Sequence, residues 1–360
     1  MMIAYSRRAV PAILGFALVG CGGGGGSSVV VTTTSTTTGS GTTTTIDETS
    51  VGNFLPGQFS VALTSQTRVA CTLDDGSPAT CYELTFLANG AGDQEGAGSI
   101  GPFCPETITV PRDEAGFGVY DGETNPGFQS LIDAFAAMEA DGFDIVDDAG
   151  NVTINGGPGQ PACLAMPIDR TLELVYQIPV TPVPRAVAHE LGTVEAIGVG
   201  LTGVPYKGNP PGVAVAQAGT PGGNGGIPAL DHCGGHVDPA GYYHWHFVPQ
   251  AMNEVLGSEA YDFTNRFGIS CSNIFVDANA PAAYAGLAKD GYPLYGPFDL
   301  EGGENFAPET VAELDSCRGH SHETPDFPDG VYHYHARAGE APNVPTCLTG
   351  QYSRNHFSVR

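Results

Sequence analysis

Three stretches decide how this chain is read: Gly203-Val-Pro-Tyr-Lys-Gly208, Leu230-Asp-His-Cys-Gly-Gly-His236 and Tyr243-His-Trp-His246. Each returns in the same order, as Gly291-Tyr-Pro-Leu-Tyr-Gly296, Leu314-Asp-Ser-Cys-Arg-Gly-His320 and Tyr332-His-Tyr-His335, at offsets of 88, 84 and 89 residues. Offsets so nearly constant mark an internal duplication with small loop changes, with a period too long for a solenoid unit. Copies at about 195–271 and 284–347, within a domain of residues 176–360, imply a pseudo-symmetric β-rich half in which equivalent motifs face each other.

The repeated motifs concentrate one chemistry. Nine of the ten histidines lie beyond residue 230, and only His189 precedes it. Alternate side chains of a strand share a face, so His244 projects with His246 and His333 with His335, while Tyr243, Trp245, Tyr332 and Tyr334 take the opposite, core-facing side. Each H-x-H pair is half of a transition-metal site, since imidazole suits Zn, Cu, Fe and Ni and one or two further groups close the shell. The further candidates are His232, His236 and Asp231 in the first copy, and His320, His322 and Asp315 in the second. The expectation is that the two pairs sit on adjacent strands with converging imidazoles, and that metal is lost as pH falls through about 6.5. A purely structural reading keeps the same histidines in a buried hydrogen-bond network.

The remainder of the folded chain reads as β with one helix. Phe59–Leu63, Thr67–Thr72, Cys81–Phe86 and Leu172–Ile178 are rich in β-branched and aromatic residues and bounded by turn formers, giving an N-terminal β-rich part at 55–175. A helix near 126–141 is expected from Asn125 and Pro126 at its start, from Phe128, Leu131, Ile132, Phe135 and Met138 at helical spacing, and from Gly142 at its end. Phe143–Val146 and Val152–Ile154 read as a hairpin around an acidic turn whose spacing does not match an EF-hand loop.

The chain reads as an exported one. Arg7 and Arg8 precede an apolar stretch, Ala9 to Val19, that is too short to span a bilayer. It ends in Leu18-Val19-Gly20-Cys21, which resembles the lipobox of bacterial lipoproteins. Residues 1–20 are then a signal peptide, and Cys21 is the acylated anchor to the membrane. Residues 21–50 are a Gly, Ser and Thr linker with no core-forming pattern. Export allows disulfides. Apart from Cys21 there are eight cysteines, at 71, 81, 104, 163, 233, 271, 317 and 347. Cys71 and Cys81 flank a hairpin turn at equal distance from Gly76, close enough to bridge. The simplest scheme for the rest joins Cys233 to Cys271 and Cys317 to Cys347, leaving Cys104 with Cys163; the alternative joins the copies through Cys233 and Cys317. With 39 acidic against 13 basic residues and a net charge of −26, the chain is a poor partner for nucleic acid. With 51 glycines and 28 prolines in 360 residues, it is turn-rich rather than a helix bundle.

These residues together resemble the bacterial YHYH-domain proteins. The matching stretches are Leu230-Asp-His232, His236-Val-Asp-Pro-Ala-Gly-Tyr-Tyr-His-Trp-His246, Asp290-Gly-Tyr-Pro-Leu-Tyr-Gly296, Leu314-Asp-Ser-Cys317 and Pro328-Asp-Gly-Val-Tyr-His-Tyr-His335, spanning roughly 175–350. The resemblance implies a secreted or envelope domain and brings no demonstrated reaction with it. The fold class expected is mainly β and disulfide-braced, with a duplicated C-terminal half and at least one short helix. The function expected is that of an envelope lipoprotein whose histidines bind copper or zinc. A metal-dependent enzyme using Asp231, Asp315 or Glu323 as acid or base, and a metal-free structural or adhesive surface domain, are the alternatives.

Overall fold

The computed structural model describes residues 52–59, 63–88, 105–111, 115, 117–119, 128–140, 142, 144–152, 163–164, 169–192, 195–208, 227–228, 230, 234–237, 240–246, 284–296, 299–301, 304–306, 314–336 and 344–360. The signal peptide, Cys21, the linker, Asn125, Pro126, Asp231, His232, Cys104, Cys233 and Cys271 lie outside them, and of Cys163 only the backbone is described. Among the described residues the fold is mainly β with one α-helix.

Strands β1 (Leu63–Thr72) and β2 (Pro78–Leu87) form the first hairpin. Thr72 pairs with Pro78, so the turn centres on Asp75 rather than Gly76. Cys71 and Cys81 are therefore diagonal neighbours, and they are disulfide-bonded at a Cα separation of 5.8 Å. Next, β3 (Phe117–Val119) pairs with β4 (Phe128–Ser130), which runs directly into α1 (Leu131–Ala140). The helix thus begins later than its apolar pattern suggests, because Phe128 is held in a strand pair. Leu131, Ala134, Phe135 and Met138 form its buried stripe, and Gly142 follows its end at φ +90°, the left-handed geometry of a C-terminal stop. Val146 and Val152 meet as a single bridge around the exposed Asp147 turn. After β5 (Cys163–Leu164), β6 (Glu173–Pro179) joins the first hairpin, and β7 (Pro184–Glu190) leads to the C-terminal half.

That half builds an eight-stranded sheet. Its strands are β8 (Ala196–Gly200), β9 (Pro205–Lys207), β11 (Gly235–Val237), β12 (Tyr243–Trp245), β13 (Tyr284–Ala288), β14 (Pro293–Tyr295), β17 (Gly319–His322) and β18 (Val331–His335), with β10 (Ile227–Pro228), β15 (Asp299–Glu301) and β16 (Glu304–Phe306) outside it. The order is β11-β12-β9-β8-β13-β14-β18-β17. Outward from the antiparallel β8/β13 seam, each half runs antiparallel, then parallel, then antiparallel. Finally β19 (Cys347–Gly350) pairs with β7, and β20 (Phe357–Val359) completes a four-stranded sheet of order β1-β2-β6-β20. The Cys317–Cys347 disulfide ties the approach to β17 to β19.

Two apolar layers flank the seam. Tyr206, Tyr243, Trp245, Leu294 and Tyr334 fill one with Ile197, Ala285 and Leu348. Tyr82, Leu84, Phe86, Leu174, Tyr176 and Ile178 of the four-stranded sheet fill the other with Val199 and Leu287. Burial on both faces explains why Ala196-Ile-Gly-Val-Gly200 and Tyr284-Ala-Gly-Leu-Ala288 read as continuous apolar runs rather than alternating ones.

Candidate metal centres

In β12 the period-two pattern sends Tyr243 and Trp245 into the aromatic core and leaves His244 and His246 on the opposite face, both fully buried. His236 of β11 is the register partner of His244, which sets its ring centroid 4.6 Å from that of His244 and 5.2 Å from that of His246. The ring orientations are held by the backbone. His246 Nδ1–H donates to the Gly208 carbonyl at 2.7 Å, and His244 Nδ1–H donates to the Tyr242 carbonyl at 3.3 Å. A carbonyl only accepts, so each Nδ1 carries the proton and each neutral ring turns an Nε2 lone pair inward. His246 Nε2 and His236 Nε2 are 3.2 Å apart, close to the roughly 3.3 Å between two nitrogens of a tetrahedral zinc shell.

The second centre repeats this construction. His335 Nδ1–H donates to the Gly296 carbonyl at 2.8 Å and His333 Nδ1–H to the Val331 carbonyl at 3.0 Å, while His320 Nε2 lies 3.0 Å from His335 Nε2. The backbone matches as well. His246 N–H bonds to the Gly234 carbonyl and His335 N–H to the Arg318 carbonyl, and both of these residues have positive φ, at 77° and 64°. His322 joins this cluster, 4.5 Å from His320 and 4.8 Å from His333 between ring centroids. Among the described residues the second centre therefore holds four histidines, two buried and two half-buried, and the first holds three buried ones; the ligand atoms of each set lie within 4.8 Å of one another.

Electrostatics keep the first set ready to coordinate. Burial pushes His244 and His246 well below the usual 6.5, and the charges of neighbouring His236 and Lys207 push the same way. Neutral imidazole is the ligating form.

The expected meeting of the two pairs does not occur. Strands β9, β8, β13 and β14 separate β12 from β18, a distance of roughly 24 Å at the usual strand spacing. The halves join through the first strand of each, which drives the H-x-H strands toward opposite ends of the sheet. Asp315 is not placed as an acid or base. Its Oδ1 accepts from the Cys317 and Gly319 amides and its Oδ2 from the Tyr332 hydroxyl, so it shapes the turn ahead of His320. Glu323 is exposed, and its backbone carbonyl, not its carboxylate, meets His322. His189 pairs with Glu195, which also binds Lys289, and His189 belongs to neither cluster. The anchoring carbonyls of Gly208 and Gly296 escaped the sequence reading, although both close the repeated Gly-x-Pro motif.

Asp290 braces the second centre from behind. It is fully buried, and its Oδ2 accepts from the Tyr334 hydroxyl at 2.6 Å and the Gly350 amide at 3.0 Å. Burial raises its carboxyl from 3.8 to about 6, against the pull of those hydrogen bonds. A group with a raised folded pKa binds more protons folded than unfolded between the two values, so its contribution to stability falls as pH rises through that window. Asp290→Asn removes this slope. Relative to wild type the variant should gain about 2 kcal/mol between about pH 4 and pH 6, measured as urea-unfolding free energies at the two ends; a difference that stays constant would refute the assignment.

Residues 175–305 match the YHYH protein family. The matched span contains the first centre and the seam, and ends before β17 and β18 of the second. No curated protein and no solved structure matches the chain.

Proposed function

We propose that this chain, carrying a YHYH domain over residues 175–305, is an exported, lipid-anchored protein of the bacterial envelope that binds copper or zinc at two histidine centres. One observation carries the metal reading: in both centres backbone carbonyls take the Nδ1 protons and turn the Nε2 atoms of buried imidazoles toward one another. A hydrogen-bond network with a purely structural role does not require that shared orientation twice. Cu(II) heads the intrinsic affinity order for such nitrogen sites, and zinc fits the tetrahedral spacing.

The test is elemental analysis of untagged protein after exposure to micromolar copper or zinc, followed by titration with acid. Metal should be retained, and in the first centre it should survive to a lower pH than free imidazole would allow, because burial already keeps His244 and His246 neutral there. Protein that takes up neither metal has structural histidines, and the surface-domain reading then holds.

Envelope anchoring is supported by Leu18-Val19-Gly20-Cys21, by the linker composition and by two disulfides in the described part. Cys21→Ser should move the protein from the detergent phase to the aqueous phase on partitioning; unchanged partitioning argues for a different attachment or none.

A further inference from the structure

We propose that the second centre trades its metal directly with the medium, through His320 and His322 and past an acidic rim, whereas the first holds its ion closed off from solvent. This rests on the metal reading above. Both centres lie at an end of the eight-stranded order, β11 and β12 at one end and β18 and β17 at the other. The same placement gives opposite exposure. Every residue of β11 is buried, with His236 at 5%, and its partners His244 and His246 are at 0%. On β17, His320 and His322 are half-buried, and Ser321 and Glu323 beside them are exposed.

The second centre is thus graded from outside to inside. His320 and His322 reach solvent, while His333 and His335 behind them are at 0% exposure. The two layers are in contact: the His322 ring lies 4.8 Å from that of His333, and the His320 ring 5.0 Å from that of His335. An ion taken up by the outer pair therefore meets the inner pair without any strand having to move. Outward transfer uses the same path in reverse, because a competing chelator can take a coordination position as an outer imidazole leaves. At the first centre no histidine of the set offers that access, so release has to wait for a local opening of the protein.

The rim identifies what arrives. His322 is level with Val331 at the mouth of the β17/β18 hairpin, and the loop between them carries Glu323, Asp326 and Asp329, of which Glu323 and Asp329 are exposed. Backbone bonds hold that loop in place: Thr324 and Phe327 exchange amide-to-carbonyl bonds at 3.1 Å each, and the Gly330 amide donates to the Phe327 carbonyl at 3.0 Å. Asp326 is fixed on the inner side, its Oδ2 accepting from the hydroxyl of Tyr295, whose ring lies 4.9 Å from that of His333. Carboxylates at the His322 end of the hairpin raise the local concentration of cations and steer them to the outer pair. The species taken up is a hydrated divalent transition-metal ion, not a preformed anionic complex.

Zinc as the metal and 4-(2-pyridylazo)resorcinol as the competing chelator test this on the full chain, read by the colour of the zinc complex that the chelator forms. From His244→Ala/His246→Ala, which keeps the second centre, the release rate should rise in proportion to chelator concentration. From His333→Ala/His335→Ala, which keeps the first, it should stay constant over the same range. Wild type should show both phases, which keeps the test available if a double variant does not fold. Glu323→Gln/Asp329→Asn, in the otherwise wild-type chain, should slow the fast phase of zinc uptake by about threefold or more at low salt and make little difference at high salt. A chelator-dependent first centre, a chelator-independent second, uptake unchanged by the loss of the two charges, or zinc held at the first centre alone would each overturn the proposal. With zinc held at the second centre alone, its dependence on chelator and on the two charges decides. Zinc bound at neither centre would instead remove the metal reading, a result distinct from zinc bound and released with the wrong kinetics.

Discussion

His244→Ala/His246→Ala should remove one of the two metal equivalents and leave the other, and His333→Ala/His335→Ala should do the converse. Each double change strips two donors from one of the two sets, leaving, among the described residues, His236 in the first or a half-exposed pair in the second, too few by themselves to hold a four-coordinate ion. The centres should behave independently. Four strands lie between them, and at roughly 24 Å two charges are beyond a Debye length in ordinary salt. The combined quadruple variant should therefore show the sum of the two losses. Circular dichroism on the same samples separates loss of ligands from loss of fold. A double change that empties both centres, or neither, would show that they are not separate sites.

Gly286→Ala should destabilise the protein by about 3 kcal/mol or more, a cost in the range of severe overpacking. Gly286 pairs with Gly200 across the β8/β13 seam, and a Cβ added there would fall 2.1 Å from the Val199 carbonyl oxygen and 3.0 Å from the Gly200 Cα. Those are backbone atoms held by the ladder, so relief requires the seam to open. Gly198, on the facing strand, is equally closed, with the Leu287 carbonyl oxygen 2.3 Å from its built Cβ. Gly57→Ala is the control, since nothing lies within 4 Å of its added carbon. The measurement is the urea midpoint at constant m-value. A Gly286→Ala protein as stable as the control would mean that the halves do not meet along this seam.

Much of each centre was legible because the relevant rule is local. Strand alternation puts His244 with His246, and His333 with His335, whatever lies around them. The repeated Leu-Asp-x-Cys-x-Gly-His segment pointed to His236 and His320, and both join their pairs. His322 stood among the candidates, but only the pairing of β17 with β18 makes it a fourth donor. The Cys71–Cys81 and Cys317–Cys347 bridges follow from hairpin spacing and from repeated position. The start of α1 was misplaced because Phe128 obeys a strand pair formed with distant Phe117–Val119.

The amino-acid sequence by itself determined the mainly β class, the recurrence of the three motifs, the shared face of each H-x-H pair and the aromatic side that faces the core. Backbone sterics and side-chain alternation act within a few residues and leave little choice there. Only the tertiary structure decided that the halves join at β8 and β13, that the histidine pairs part to opposite ends of one sheet, and that carbonyls 38 and 39 residues away orient His246 and His335. Which strands become neighbours depends on burying two faces of a sheet at once, against the chain entropy of closing long loops. That balance is struck over the whole domain, and no single stretch of sequence contains it.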